Sequence, residues 1–240
     1  MENYKVFKFV EKNDFIIYLR EVIYIAYKML KDHRRYLTML EKEIERYKVL
    51  TDENAKIPPY VYEDTRNLLK NVTNSLLNLF SDEGHSGTSY KKFRTAAESK
   101  KKGKRLGINL EKLSEEHEDI LEQFHELRNW SSHVPESLIV AQLEMAKRDG
   151  FELRIDKDIQ VASFEYYEGA WLISLYNEQK HIYEGFCKIF QQAKKDYSVL
   201  VGESMRIKRS HFPVRHLEEE IEIPKISLEM QLRQYEKKFK

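Results

Sequence analysis

The chain has 240 residues, 41% of them hydrophobic and 34% charged, and its 41 Lys plus Arg nearly balance its 40 Asp plus Glu. That supplies apolar residues for a sizeable folded core but, through net charge alone, singles out neither nucleic acid nor a membrane as a partner. A single cysteine, Cys187, excludes an internal disulfide framework and a cysteine-built metal centre.

Lys5 and Lys8 precede the first apolar run, "FIIYLREVIYIAYKML", but Arg20, Glu21 and Lys28 interrupt it. The run therefore reads as neither a signal peptide nor a membrane span, and a reducing, cytoplasmic setting is expected. Eight glycines and five prolines are few for this length, and the long segments repeat at three and four residues. The expected fold is all-α, a bundle of four to five long helices over residues 1–205, with a C-terminal arm over 206–240.

Asp14 is the expected N-cap of a first helix running to about residue 50, with Phe15, Leu19, Val22, Ile23, Ala26, Met29, Leu30 and Leu37 as its apolar stripe. Pro58 and Pro59 can open a second helix, which "SDEGHSG" stops. Residues 83–107 are rich in Gly, Ser, Lys and Arg and lack sustained periodicity, so they read as an exposed, mobile basic loop. A third helix begins at Asn109 or Ser114 and is expected to end at Val134-Pro135, with Pro135 opening a fourth that Gly150 terminates. The stretch over 151–165 alternates well enough for a short β-hairpin, with a loop running into helix as the alternative. The last long helix spans about 166–200, and its tyrosines, like those of the first, read as packing residues. The arm carries basic "RIKRSHFPVRH", acidic "EEEIE" and a short amphipathic helix.

The third helix carries "ELRNWSSHVPES", in which Arg128, Asn129 and His133 form the pattern Arg-Asn-x-x-x-His. The same arginine-to-histidine spacing recurs at Arg206–His211 and Arg209–His216, but both copies lie in the arm and neither Arg precedes an Asn. The helical context and Asn129 distinguish the Arg128 copy. On these residues the chain resembles the HEPN domains, an all-helical nucleotide-binding and RNase superfamily whose signature is Arg, four to six residues, then His.

The resemblance implies metal-independent cleavage of RNA, with the 2′-hydroxyl attacking to leave a 2′,3′-cyclic phosphate. Such chemistry suits a side chain exchanging a proton near neutral pH, which is His133, and a fixed planar cation, which is Arg128. Asn129 would orient either. No cofactor is expected, and no ligand spacing supports a metal. The resemblance also implies a site built from two domains. Since only one credible motif is present, the second would come from a homodimer. A role as a toxin or antiviral (phage-defence) effector, held by an antitoxin or regulatory protein, follows from the resemblance alone.

At about 100° per residue, Leu113, Ile120, Phe124, Leu127 and Ser131 share the expected core face of this helix, with Arg128 at its flank. His125, Asn129 and His133 form a polar stripe turned away from that face. The expected RNA contacts are His125 and the basic loop, through Lys91, Lys92, Arg94, Lys101, Lys102, Lys104 and Arg105, with Tyr90 and Phe93 available to stack bases. The alternative is a non-catalytic helical dimer acting as an RNA- or nucleotide-binding module or adaptor, with Arg128 in a surface ion pair and His133 at a helix end. No phosphate-binding glycine loop, nucleophile elbow or His-Glu-x-x-His occurs, which disfavours P-loop NTPases, α/β-hydrolases and zincin proteases.

Overall fold

The computed structural model describes residues 7–83, 87–149 and 163–208, with backbone alone for 131–138, 142, 146 and 149. The chain divides after Met205. Of the second unit only 206–208 are described, so the arm's expected amphipathic helix lies outside the described residues. The first unit is predominantly helical, with one small antiparallel ladder.

Helix α1 (Lys12–Arg46) buries Phe15, Leu19, Val22, Ile23, Ala26, Leu30 and Leu37 of the expected stripe, leaves Met29 half-buried, and adds His33, Leu40 and Ile44. Its start corrects the expectation for Asp14. Asp14 sits inside the first turn, where Oδ2 accepts the backbone N–H groups of Val10 at 2.7 Å and Glu11 at 2.9 Å. These donors have no partner within the helix, and their hydrogen bonds hold the carboxyl below its ordinary range.

Helix α2 (Pro59–Ser81) opens on a proline, whose missing N–H costs nothing there. Helix α5 (Gly169–Val201) closes the unit. The N-terminal half of α1 shares one core with the C-terminal halves of α2 and α5. Its C-terminal half shares a second, smaller core with their N-terminal halves. Helix α1 therefore runs antiparallel to both. At the lower end β1 (Lys56–Ile57) pairs with β2 (Tyr167–Glu168). This strand falls after the expected hairpin, whose residues 151–162 lie outside the described residues, and its partner comes from far upstream.

Residues 83–107 differ from the expected loop. Helix α3 (Tyr90–Glu98) and a 3-10 turn (Lys104–Leu106) lie within the segment. Tyr90, Phe93, Ala96 and Ala97 recur at helical spacing and are buried, so the interleaved lysines masked a real apolar face. Ser89 caps the helix by accepting the N–H of Lys92 at 3.1 Å, and its own N–H reaches the Tyr18 hydroxyl at 2.9 Å.

The expected break at Pro135 is also corrected: α4 (Glu115–Asp149) is continuous. A proline removes one backbone bond and crowds one carbonyl. No glycine accompanies it before Gly150, so helix resumes at once. Ser114 starts α4 by accepting the N–H of Glu118 on its carbonyl at 3.0 Å. The helix lies close against α5 at Gly185, where an added Cβ would stand 3.1 Å from Cζ of Phe124. Among the described residues no helix is long and apolar enough to cross a membrane.

Candidate functional site

The buried face of α4 centres on Leu121 and Phe124. Ile120 is half-buried and Leu127 is 41% exposed, so the face is rotated about one residue from the expected one. The rotation turns Arg128 toward α2. Its Nε donates to Oδ1 of Asn78 at 3.0 Å, and its Nη2 pairs with Oδ1 of Asp82 at 2.8 Å. The Arg128 side chain is 25% exposed and that of Asp82 18%. Asp82 ends α2, its N–H bonding to the Asn78 carbonyl at 3.1 Å. The end of α2 thus presents two acceptors that orient the guanidinium plane.

Asn129 is exposed on the next face. Its side-chain nitrogen lies 3.1 Å from Nε2 of His125, which establishes the first two members of the polar stripe as neighbours. That imidazole nitrogen is the acceptor, since an amide nitrogen only donates. Nδ1 of His125 is buried with no partner among the described residues. The backbone of α4 continues as helix through residue 133, but the His133 side chain lies outside the described residues. In a continuous helix residue 133 stands about 7.5 Å beyond residue 128 and roughly 140° around the axis.

The expected RNA contacts fall in different places. Lys91 joins the site, with Nζ 2.7 Å from Oε1 of Glu83 and 3.8 Å from Oε2 of Glu122 on α4. This lysine is the chief cause holding the Glu83 carboxyl below its usual range, with His125 and Arg128 adding to it. Lys92 donates to the Gly87 carbonyl at 2.9 Å. Lys101, Lys102, Lys104 and Arg105 are exposed around the 3-10 turn.

Arg94 is the correction. Its side chain is 3% exposed, with Nη1 3.4 Å from Oδ2 of Asp196 and Nη2 donating to the Glu111 carbonyl at 2.8 Å. The Tyr90 hydroxyl and the Gln192 amide also donate to Asp196, at 2.7 and 2.9 Å. Burial lifts the Asp196 carboxyl above its ordinary range despite these partners. A cation so enclosed holds helices together and is closed to RNA. Tyr90 and Phe93 are fully buried and cannot stack a base.

A cleft between α2, α4 and α5 brings together residues that no sequence motif connects. Its volume is 430 Å³, and both tryptophans, Trp130 and Trp171, line it with Arg66, Lys70, Glu178 and Gln179. Sequence carries one hint, Arg66 and Lys70 one turn apart; their meeting with Trp171 is set by tertiary packing. No known protein family, curated protein or solved structure matches the chain.

Proposed function

We propose that the protein is a HEPN-type, metal-independent endoribonuclease acting as a homodimer. The observation that carries this reading is Arg128, a cation fixed by Asn78 and Asp82 immediately beside the exposed Asn129. In the reaction the 2′-oxygen gives up its proton and attacks phosphorus. The bond to the 5′-oxygen breaks, leaving a 2′,3′-cyclic phosphate and a 5′-hydroxyl. Arg128 offsets charge building on the phosphorane, Asn129 orients it, and His133 exchanges the proton.

Positions 128 and 133 lie on different sides of one unbroken helix, which supports a site completed by a second copy of α4. Exposed Ile139, Val140 and Leu143 further along the same helix provide apolar surface for that partner. A toxin or antiviral role, restrained by an antitoxin, belongs to the same reading.

The test is cleavage of a single-stranded RNA in EDTA by wild type, Arg128→Ala and His133→Ala. Wild type is expected to cut and leave cyclic-phosphate ends, and each variant to lose at least about a hundredfold while retaining its helical circular dichroism. Cleavage that survives either substitution, or that requires added metal, overturns the mechanism. The specific observation favouring a second reading, a non-catalytic dimer, is the Arg128–Asp82 pair, a contact that also serves simply to hold α4 on α2.

A further inference from the structure

Two of the side chains that line the cleft between α2, α4 and α5 are polar and more than nine-tenths buried. Thr73 and Gln179 are each 6% exposed. The Thr73 hydroxyl donates to Oε1 of Gln179 at 2.8 Å and lies 3.2 Å from Nε2 of His33, which is fully buried behind it. Because the hydroxyl proton is committed to Gln179, His33 donates from Nε2, and burial lowers its pKa to about 4. The Gln179 oxygen is occupied, so its amide N–H₂ is the donor left to the cleft.

The walls carry complementary chemistry. Trp171 is 53% exposed yet held edge-on by Tyr62 and Tyr167, each at 6.0 Å. Trp130 is 63% exposed on the α4 side. Arg66 and Lys70 project from one face of α2, and neither pairs with a carboxylate among the described residues. Glu178 stands on the α5 side as an acceptor. Flat aromatic surface, a fixed amide donor, two adjacent cations and one carboxylate suit a planar heterocycle joined to a hydroxylated, anionic group. The volume falls at the lower end of the ~300–1,000 Å³ typical of small-ligand sites.

We propose that this cleft binds a nucleoside monophosphate unit, free or within a single strand. The base lies against the indoles with its edge at Gln179, the ribose hydroxyls at Glu178, and the phosphate at Arg66 and Lys70. Binding depends on neither cleavage nor Arg128, which lies on a different face of α4 from Leu127 and Trp130.

Trp130 and Trp171 are the chain's only tryptophans, so its intrinsic tryptophan fluorescence reports on this cleft. Titration of the full chain with AMP is expected to change the emission saturably below about 1 mM, and inorganic phosphate alone to leave it unchanged. Arg66→Ala with Lys70→Ala should weaken binding at least about tenfold at unchanged circular dichroism. Oligo(A) binding at least about tenfold more tightly per nucleotide marks a strand as the source, and equal affinity marks the free nucleotide. The proposal is overturned by the absence of saturable change with both AMP and oligo(A), or by an affinity that the double variant leaves intact. Arg128→Ala must bind AMP as wild type does. Its loss of binding would overturn the proposed independence, whereas loss of cleavage with binding retained bears only on the nuclease reading.

Discussion

At the residue scale, His33 couples the interior to pH. It is fully buried, stacked on Tyr183 at 5.2 Å, and its Nδ1 has no partner among the described residues. Desolvation lowers its pKa from 6.5 to about 4, so the folded state binds the proton more weakly than the unfolded chain. The stability it supports is complete above the unfolded value and is lost as pH falls from 6.5 toward 4. The full loss corresponds to about 3 kcal/mol. Urea unfolding at pH 7 and pH 4.5 checks this: wild type should lose stability between them, and His33→Gln should lose less. Equal losses in the two proteins would remove His33 as the cause. Arg94 and Asp196 differ in kind, since each compensates the other's burial, and removing one strands the other.

At the element scale, the approach of α4 to α5 depends on Gly185. A methyl there would meet the Phe124 ring at 3.1 and 3.3 Å, closer than ordinary contact. Gly185→Val is expected to destabilise the protein by roughly 1–3 kcal/mol, read as a shift in the urea midpoint, by levering α4 outward. A variant as stable as wild type would show that α4 is not seated through that glycine.

The elements also show what the sequence makes legible. Helices α1, α2 and α5 announce themselves because each buries a continuous stripe at helical period. Helix α3 does not, because it is only nine residues long and its four buried apolar residues are interleaved with Lys91, Lys92 and Arg94. Pro135 reads as a boundary because its local cost is visible and the continuity on either side is not. The buried face of α4 is rotated because Leu121, and not Leu127, packs against the neighbouring helices. Asn78 and Asp82, which fix Arg128, are some fifty positions away in the chain, and no local signal pairs them with it.

At the scale of the whole molecule, α4 is acidic in its first turn, with Glu115, Glu116 and Glu118, and basic in its last, with Lys147 and Arg148. Two copies laid antiparallel bring opposite charges together at each end and place the centre of overlap near the motif. Light scattering at micromolar concentration is therefore expected to give a dimer, and Ile139→Asp with Leu143→Asp to give a monomer. A monomeric wild type would exclude a site shared between copies. The exposed charges around the 3-10 turn add a cationic patch to each copy, screened progressively by salt.

The arrangement of the two cores bears on how the protein is made. Helix α1 completes neither core without α5, the last helix among the described residues. Between Arg46 and Val201 a ribosome working at about 5–20 residues per second needs on the order of ten to thirty seconds. Until α5 follows it out of the ribosome, the stripe from Phe15 to Ile44 lacks its main cover. Folding of the first unit is thus a late, collective event set by the arrival of α5, and the exposed stripe is the surface a chaperone would cover meanwhile.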